Sequence, residues 1–136
     1  MKRVVIDTNL MLVAISKRSK DHWVVKALFD EKYELCVTTD ILMEYEEIIG
    51  EHMGVMASVG FMKFLSKLDN IVEINTFFNF RLLRDEDEDK FVDCAIAANA
   101  HFIVSHDKDF RILKKIEFPK VHVIDVEEFK RELNLI

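Results

Sequence analysis

Three glycines and a single proline, Pro119, are all that this chain of 136 residues carries. That scarcity argues against turn-dense all-β folds. With half of the residues hydrophobic, the chain is also unlike a disordered one, which has too little apolar surface to bury. Three glycines cannot build a phosphate-cradling loop, and no Walker A, G-x-G-x-x-G or G-x-S-x-G pattern occurs. The two cysteines, Cys36 and Cys94, stand far apart in apolar stretches. There is no C-x-x-C and no disulfide framework, which suits a reducing cytoplasm. The five histidines show no zinc spacing. No apolar run approaches the roughly 18 residues of a membrane span, and no signal peptide is visible. Basic residues are in deficit as well, leaving a net charge of −6. This counts against a nucleic-acid partner, because phosphates are neutralised by Lys and Arg. Against that, five of the acids form one run, Asp85 to Asp89, and acids that hold a cation lose effective charge once it is bound.

What is present is an alternation. Val4–Ile6, Glu34–Val37, Ile71–Ile74, His101–Ser105 and Val121–Ile124 are short apolar runs that read as buried parallel strands. Helical patterns separate them, over about 10–16, 21–31, 39–50, 53–68, 89–99 and 107–116. Thr38 or Thr39 can cap the helix after the second strand. Asp125, with Glu128 three residues on, opens a last helix with a capping box. Residues 75–84 are rich in aromatics and take no clear pattern. No linker or repeat interrupts the chain, so one domain over 1–136 is expected, an α/β fold with a parallel sheet between helices.

Carboxylates stand where such a sheet binds ligands. Asp7 follows the first strand and Asp107 the fourth. Crevices in open parallel sheets lie beyond the carboxyl ends of the strands, where the strand order switches. If the first and fourth strands are neighbours, both acids meet there. Asp89 and Asp93 are four apart and share one helix face, on a helix that leads into the fourth strand. Acids from distant segments suit a hard cation such as Mg²⁺, which prefers oxygen ligands and can activate water against a phosphodiester. Each acid also has a plainer reading. Asp107 and Asp89 can cap helices, Asp93 can be solvated, and Asp7 can be a turn residue. In the helix after the second strand, Glu44 and Glu46 border the apolar stripe on opposite sides, and periodicity does not choose between them.

The motifs resemble a known family, the PIN domain, and in particular its branch of toxins from bacterial toxin–antitoxin systems. The resemblance covers nearly the whole chain. It rests on Val4-Val5-Ile6-Asp7-Thr8-Asn9, on Thr38-Thr39-Asp40-Ile41-Leu42-Met43-Glu44-Tyr45, on the run Asp85 to Asp89 followed by Lys90-Phe91-Val92-Asp93-Cys94-Ala95, and on Ile103-Val104-Ser105-His106-Asp107-Lys108-Asp109-Phe110. It implies a three-layer α/β/α sandwich whose five-stranded parallel sheet is ordered 3-2-1-4-5. By the same resemblance Asp7, Glu44, Asp89 and Asp107 form an acidic quartet around Mg²⁺ or Mn²⁺, with Asp93 auxiliary. Asn9 and Ser105 would orient substrate. Asp89 is preferred to Asp87 as the third acid for its spacing to Asp93 and Ser105. The implied activity is metal-dependent hydrolysis of RNA, and the implied partners are a protein antitoxin and a second copy of the chain.

Lys17, Arg18 and Lys20, or Lys108 and Arg111, are candidate phosphate contacts, although surface cations are usually only solvating charge. His106 can contact substrate or fill space. Phe61, Phe64, Phe77, Phe78 and Phe80 can stack on bases but are better read as core or contact surface, as are Trp23 and the methionines. A receiver domain would need an acid pair after the first strand and a Lys after the last. A haloacid-type phosphatase would need Asp where Asn9 stands. A non-catalytic binding module of the same fold is the remaining alternative.

Overall fold

The computed structural model describes residues 1–76, 79–83 and 86–135. Phe77, Phe78 and Asp85, named above, lie outside the described residues. In chain order the elements are β1 (Arg3–Ile6), α1 (Thr8–Ile15), α2 (His22–Phe29), β2 (Glu34–Val37), α3 (Thr39–Met53), α4 (Val55–Lys67), β3 (Ile71–Glu73), α5 (Glu86–Ala97), β4 (Phe102–Val104), a 3₁₀ segment (Lys108–Lys115), β5 (Val123–Ile124) and α6 (Val126–Glu132).

All pairings are parallel and the sheet order is β3-β2-β1-β4-β5, as the resemblance implied. Val4, Val5 and Ile6 are consecutive and fully buried, as are Leu35, Cys36 and Val37. Side chains alternate across a strand, so consecutive burial means that both faces of the sheet are covered. The chain leaves β1 for β2 on one side and returns to β4 on the other. The switch of strand order therefore falls between β1 and β4, where Ile6 lies beside Val104.

α3 shows how local sequence aims a helix at that point. Thr38 caps it, its hydroxyl accepting from the Ile41 N–H at 3.2 Å. Ile41, Tyr45 and Ile49 recur every four residues and are fully buried. The Tyr45 hydroxyl donates to the carbonyl oxygen of Ile6, pinning the helix to the end of β1. Burial holds that hydroxyl well above its ordinary pKa, so it remains a donor. Tyr45→Phe removes this single contact without changing the ring. Urea unfolding should show a loss of about 0.5–1.5 kcal/mol; an unchanged midpoint would mean the bond contributes nothing.

Two expectations need correction. α5 begins at Glu86, inside the acidic run, rather than at Asp89. Carboxylates are favoured in a helix's first turn because the N-terminal N–H groups there present partial positive charge. The segment after β4 is 3₁₀ rather than α-helical. Its buried residues, Phe110 and Leu113, with Ile116 at its C-cap, recur every three, which matches three residues per turn. The last helix has the expected capping box, with the Glu128 N–H donating to Asp125 Oδ1 at 2.8 Å. No helix among the described residues is long and apolar enough to cross a membrane.

Candidate acid cleft

Asp7 ends β1 and caps α1. Its Oδ1 accepts from the Leu10 N–H at 2.8 Å and its Oδ2 from the Ser105 hydroxyl. The turn reading and the site reading thus hold for one side chain. Asp7 is buried, and burial raises its carboxyl above the ordinary value. The hydrogen bonds from Ser105 and Leu10 oppose that rise, while the neighbouring Asp107 charge adds to it.

Ser105 joins the two strand ends. Its Oγ donates to Asp7 and accepts from the Asp107 N–H at 2.9 Å. Asp107 in turn caps the 3₁₀ segment through the Asp109 N–H at 2.9 Å. Its carboxyl is held below the ordinary value, first by a hydrogen bond with the Glu88 side chain and then by the Asp109 N–H. Oxygens of Glu88, Asp107 and Asp109 all lie within 4.8 Å of one another.

Glu44, not Glu46, is the α3 acid at this point. Glu44 Oε2 accepts from the Thr8 hydroxyl, and Oε1 lies 2.7 Å from the Lys90 ammonium. Glu46 is exposed. One helical residue spans about 100°, so Tyr45 fixed inward on β1 leaves Glu44 turned to the cleft.

Asp7, Asn9, Glu44, Asp87, Glu88 and Asp107 line one cleft of about 170 Å³ at the carboxyl ends of β1 and β4, floored by Phe91 and Phe110. The structure does not bring Asp89 or Asp93 there. Both are buried and border an adjoining cavity of about 780 Å³ between α3 and α5, which shares Glu44, Ile48 and Asp87 with the cleft. Asp89 Oδ1 accepts from the Leu83 N–H at 2.9 Å, and Asp93 Oδ1 from the Phe80 N–H at 3.0 Å. They tie residues 80–83 to α5. Burial, and secondarily the Asp89 charge, raises the Asp93 carboxyl despite the Phe80 bond.

The physical reason is helical phase. Asp89 and Asp93 share a face, but it is the face turned to residues 80–83. Glu88 precedes Phe91 by three and Ala95 by seven, both buried, so it continues the inward stripe toward β4. Spacing to Asp93 and Ser105 favoured Asp89, and Asp89 likewise precedes the buried Val92 by three, so periodicity alone does not single out Glu88. Asp109 carries no periodic signal, since it reaches the cluster only through the 3₁₀ turn.

Other chemistry is disfavoured. Burial pushes the Cys36 thiol up to about 11 and the Cys94 thiol up to about 12, far from a reactive thiolate at neutral pH. His106 sits at the mouth, half-exposed, 3.4 Å from Asp21. The acids fit a hard divalent cation: several carboxylates converge, one is raised by burial and a like charge, and the donors are all oxygen.

Comparison with known proteins agrees with this fold. The chain is 27% identical to the uncharacterized protein MJ1680 of Methanocaldococcus jannaschii, over 93% of each chain. Among solved structures it shares its fold with a chain of VapBC2 from Rickettsia felis bound to a DNA fragment from their promoter (TM-score 0.64, 18% identity, 90% of this chain and 98% of that one). It shares it also with a chain of DNA-bound VapBC from Salmonella typhimurium (0.61, 14%, 93% and 99%), and with PAE2754 from Pyrobaculum aerophilum (0.57, 17%, 100% and 91%). Residues 3–109, from β1 to the second residue of the 3₁₀ segment, match the PIN domain family, and the chain is a member of that family.

Proposed function

We propose that this chain is a metal-dependent ribonuclease, folded as one PIN domain over 1–136. The observation that supports it is the convergence of Asp7, Glu44, Glu88 and Asp107, from four separate segments, on one cleft at the strand-order switch. Asp7, Glu88 and Asp107 would hold Mg²⁺ or Mn²⁺, with Asp109 and Glu44 at its margin. Such an ion supplies an activated water and stabilises charge on phosphate oxygens. The chain's own groups do the rest. Ser105 fixes the orientation of Asp7 and of the Asp107 backbone. Thr8 and Lys90 hold Glu44 between them, so its carboxylate can orient an attacking water. Asn9, exposed at the rim, is placed to meet substrate. Asp89 and Asp93 shape residues 80–83 instead of contacting the ion.

The chain is further read as the toxin of a toxin–antitoxin pair. The motif resemblance supports this, and so does the fold shared with VapBC chains. A protein antitoxin, or a second copy of the chain, would find a surface on α4. There Val55, Met56, Val59 and Phe64 are all more than half exposed, which is unusual for apolar groups clustered on one element.

Calorimetric titration with Mn²⁺, combined with RNA cleavage on the same samples, tests the reading. Binding at micromolar to millimolar concentration, with cleavage abolished by a chelator, is the expected result. Absence of both would leave a PIN-fold binding module whose acids serve as caps and surface charge.

A further inference from the structure

The nuclease reading leaves a difficulty: a chain of net charge −6 must attract a polyanion. The 3₁₀ segment offers an answer. Three residues per turn place Lys108, Arg111 and Lys114 above one another in a row, about 6 Å apart at a rise of about 2 Å per residue. A neighbouring row, about 120° round the helix, is buried, with Phe110 and Leu113 in the core and Ile116 half-covered. The cationic row is therefore forced outward by packing. All three cations are exposed, as are Lys115 and Lys120. None of the five takes part in an ion pair among the described residues. Between 108 and 122 the sequence carries only two acids, Asp109 and Glu117. The row starts one residue after Asp107, and Asp107 and Phe110 of the same segment line the acid cleft. Phe118 stands just past its end and is 91% exposed.

We propose that this row and Phe118 form the track along which single-stranded RNA enters the acid cleft, a reading that rests on the nuclease assignment above. Unpaired cations in line meet successive phosphates, and an uncovered aromatic ring stacks on a base of any sequence. A duplex keeps its base faces covered, so the ring serves a single strand. An acidic protein would also satisfy the row, but not the exposed ring or the continuity with the cleft.

The test uses the Asp7→Asn chain, so that RNA is not cut, and reads anisotropy of a labelled oligouridine across a salt series. Arg111→Glu with Lys114→Glu should weaken binding at least tenfold and flatten the log–log salt slope by about 1.4, roughly 0.7 for each lost phosphate contact. Phe118→Ala should weaken it about fivefold or more with the slope unchanged. Lys63→Glu with Lys67→Glu, the same charge change on α4 at the far edge of the sheet, should do much less. Equal loss from the α4 pair would reduce the effect to net charge and overturn the track. If wild type cuts RNA and the row variants bind as the parent does, the track alone falls and the row is left for a protein partner. If wild type neither binds nor cuts RNA, the nuclease reading falls and takes the track with it.

Discussion

Asp7→Asn should abolish metal binding and RNA cleavage while making the metal-free protein more resistant to heat at neutral pH. Burial raises the folded-state pKa of Asp7, so the folded chain holds that proton more tightly than the unfolded chain. Stability linked to this group is greatest at low pH. It declines as pH rises through the ordinary carboxylate range to the raised folded value, and stays lower above it. Asn keeps the useful contacts, since its oxygen can still cap the Leu10 N–H and its amide can donate to Ser105. The charge is lost, and with it the acceptor of the Ser105 hydroxyl. The melting temperature of the variant should therefore exceed that of wild type at pH 7 and converge with it below about pH 4, near the ordinary Asp value. Mn²⁺ should reverse the order. At a hundredfold excess over its Kd it stabilises wild type by about 2.7 kcal/mol, and should leave the variant unmoved. Cleavage should fall by more than the roughly 10- to 100-fold that follows loss of an outer partner of a metal ligand. Differential scanning fluorimetry across pH, with and without Mn²⁺, reads all of this. A variant that melts below wild type at pH 7 and still binds Mn²⁺ would mean that Asp7 is a structural cap only.

Glu88→Gln and Asp89→Asn should separate cleanly, although the two residues are adjacent. Gln at 88 can still hydrogen-bond Asp107, so the fold should hold. The cluster loses one of its three converging carboxylates, and Mn²⁺ affinity and cleavage should both drop at least about 10- to 100-fold. Asn at 89 can still accept from the Leu83 N–H, so metal binding and cleavage should stay within about threefold of wild type. Asp89→Ala is the harsher change. It leaves that buried N–H without its acceptor and should cost about 1–3 kcal/mol, read by urea unfolding with metal affinity unchanged. The opposite pattern, with Asp89→Asn inactive and Glu88→Gln near normal, would restore the spacing-based choice and remove Glu88 from the site.

The proposed catalytic roles and the structural roles meet in the same few groups. Ser105 touches both strand-end acids, and Thr8 and Lys90 hold Glu44. Asp7 and Asp107 each cap the element that follows them. Collecting such carboxylates costs stability, because like charges repel and one is desolvated. The cost is tolerable where a bound cation or a hydrogen bond, as between Glu88 and Asp107, offsets it.

Much of this was readable from the residues alone. Five apolar runs separated by helical patterns dictate a parallel sheet, because a parallel strand needs a crossover and must be covered on both faces. Asp7 and Asp107 were found by their places at strand ends, and Asp125 with Glu128 by capping chemistry. These are local signals, set by periodicity and by the backbone's need for partners. The choice of Glu44 over Glu46 required Tyr45 to be seen bonded to Ile6, 39 residues away. Glu88 as the proposed third acid rests on the phase of α5 against β4. Its helical face depends on where the helix starts and on which neighbour it packs against, and counting from Asp93 supplied neither. The row of cations likewise exists only because Phe110 and Leu113 pack inward with a period of three. Sequence determined which groups were available. Tertiary packing decided which of them meet, because a shift of one residue turns a helical side chain by about 100° and changes which neighbours it faces.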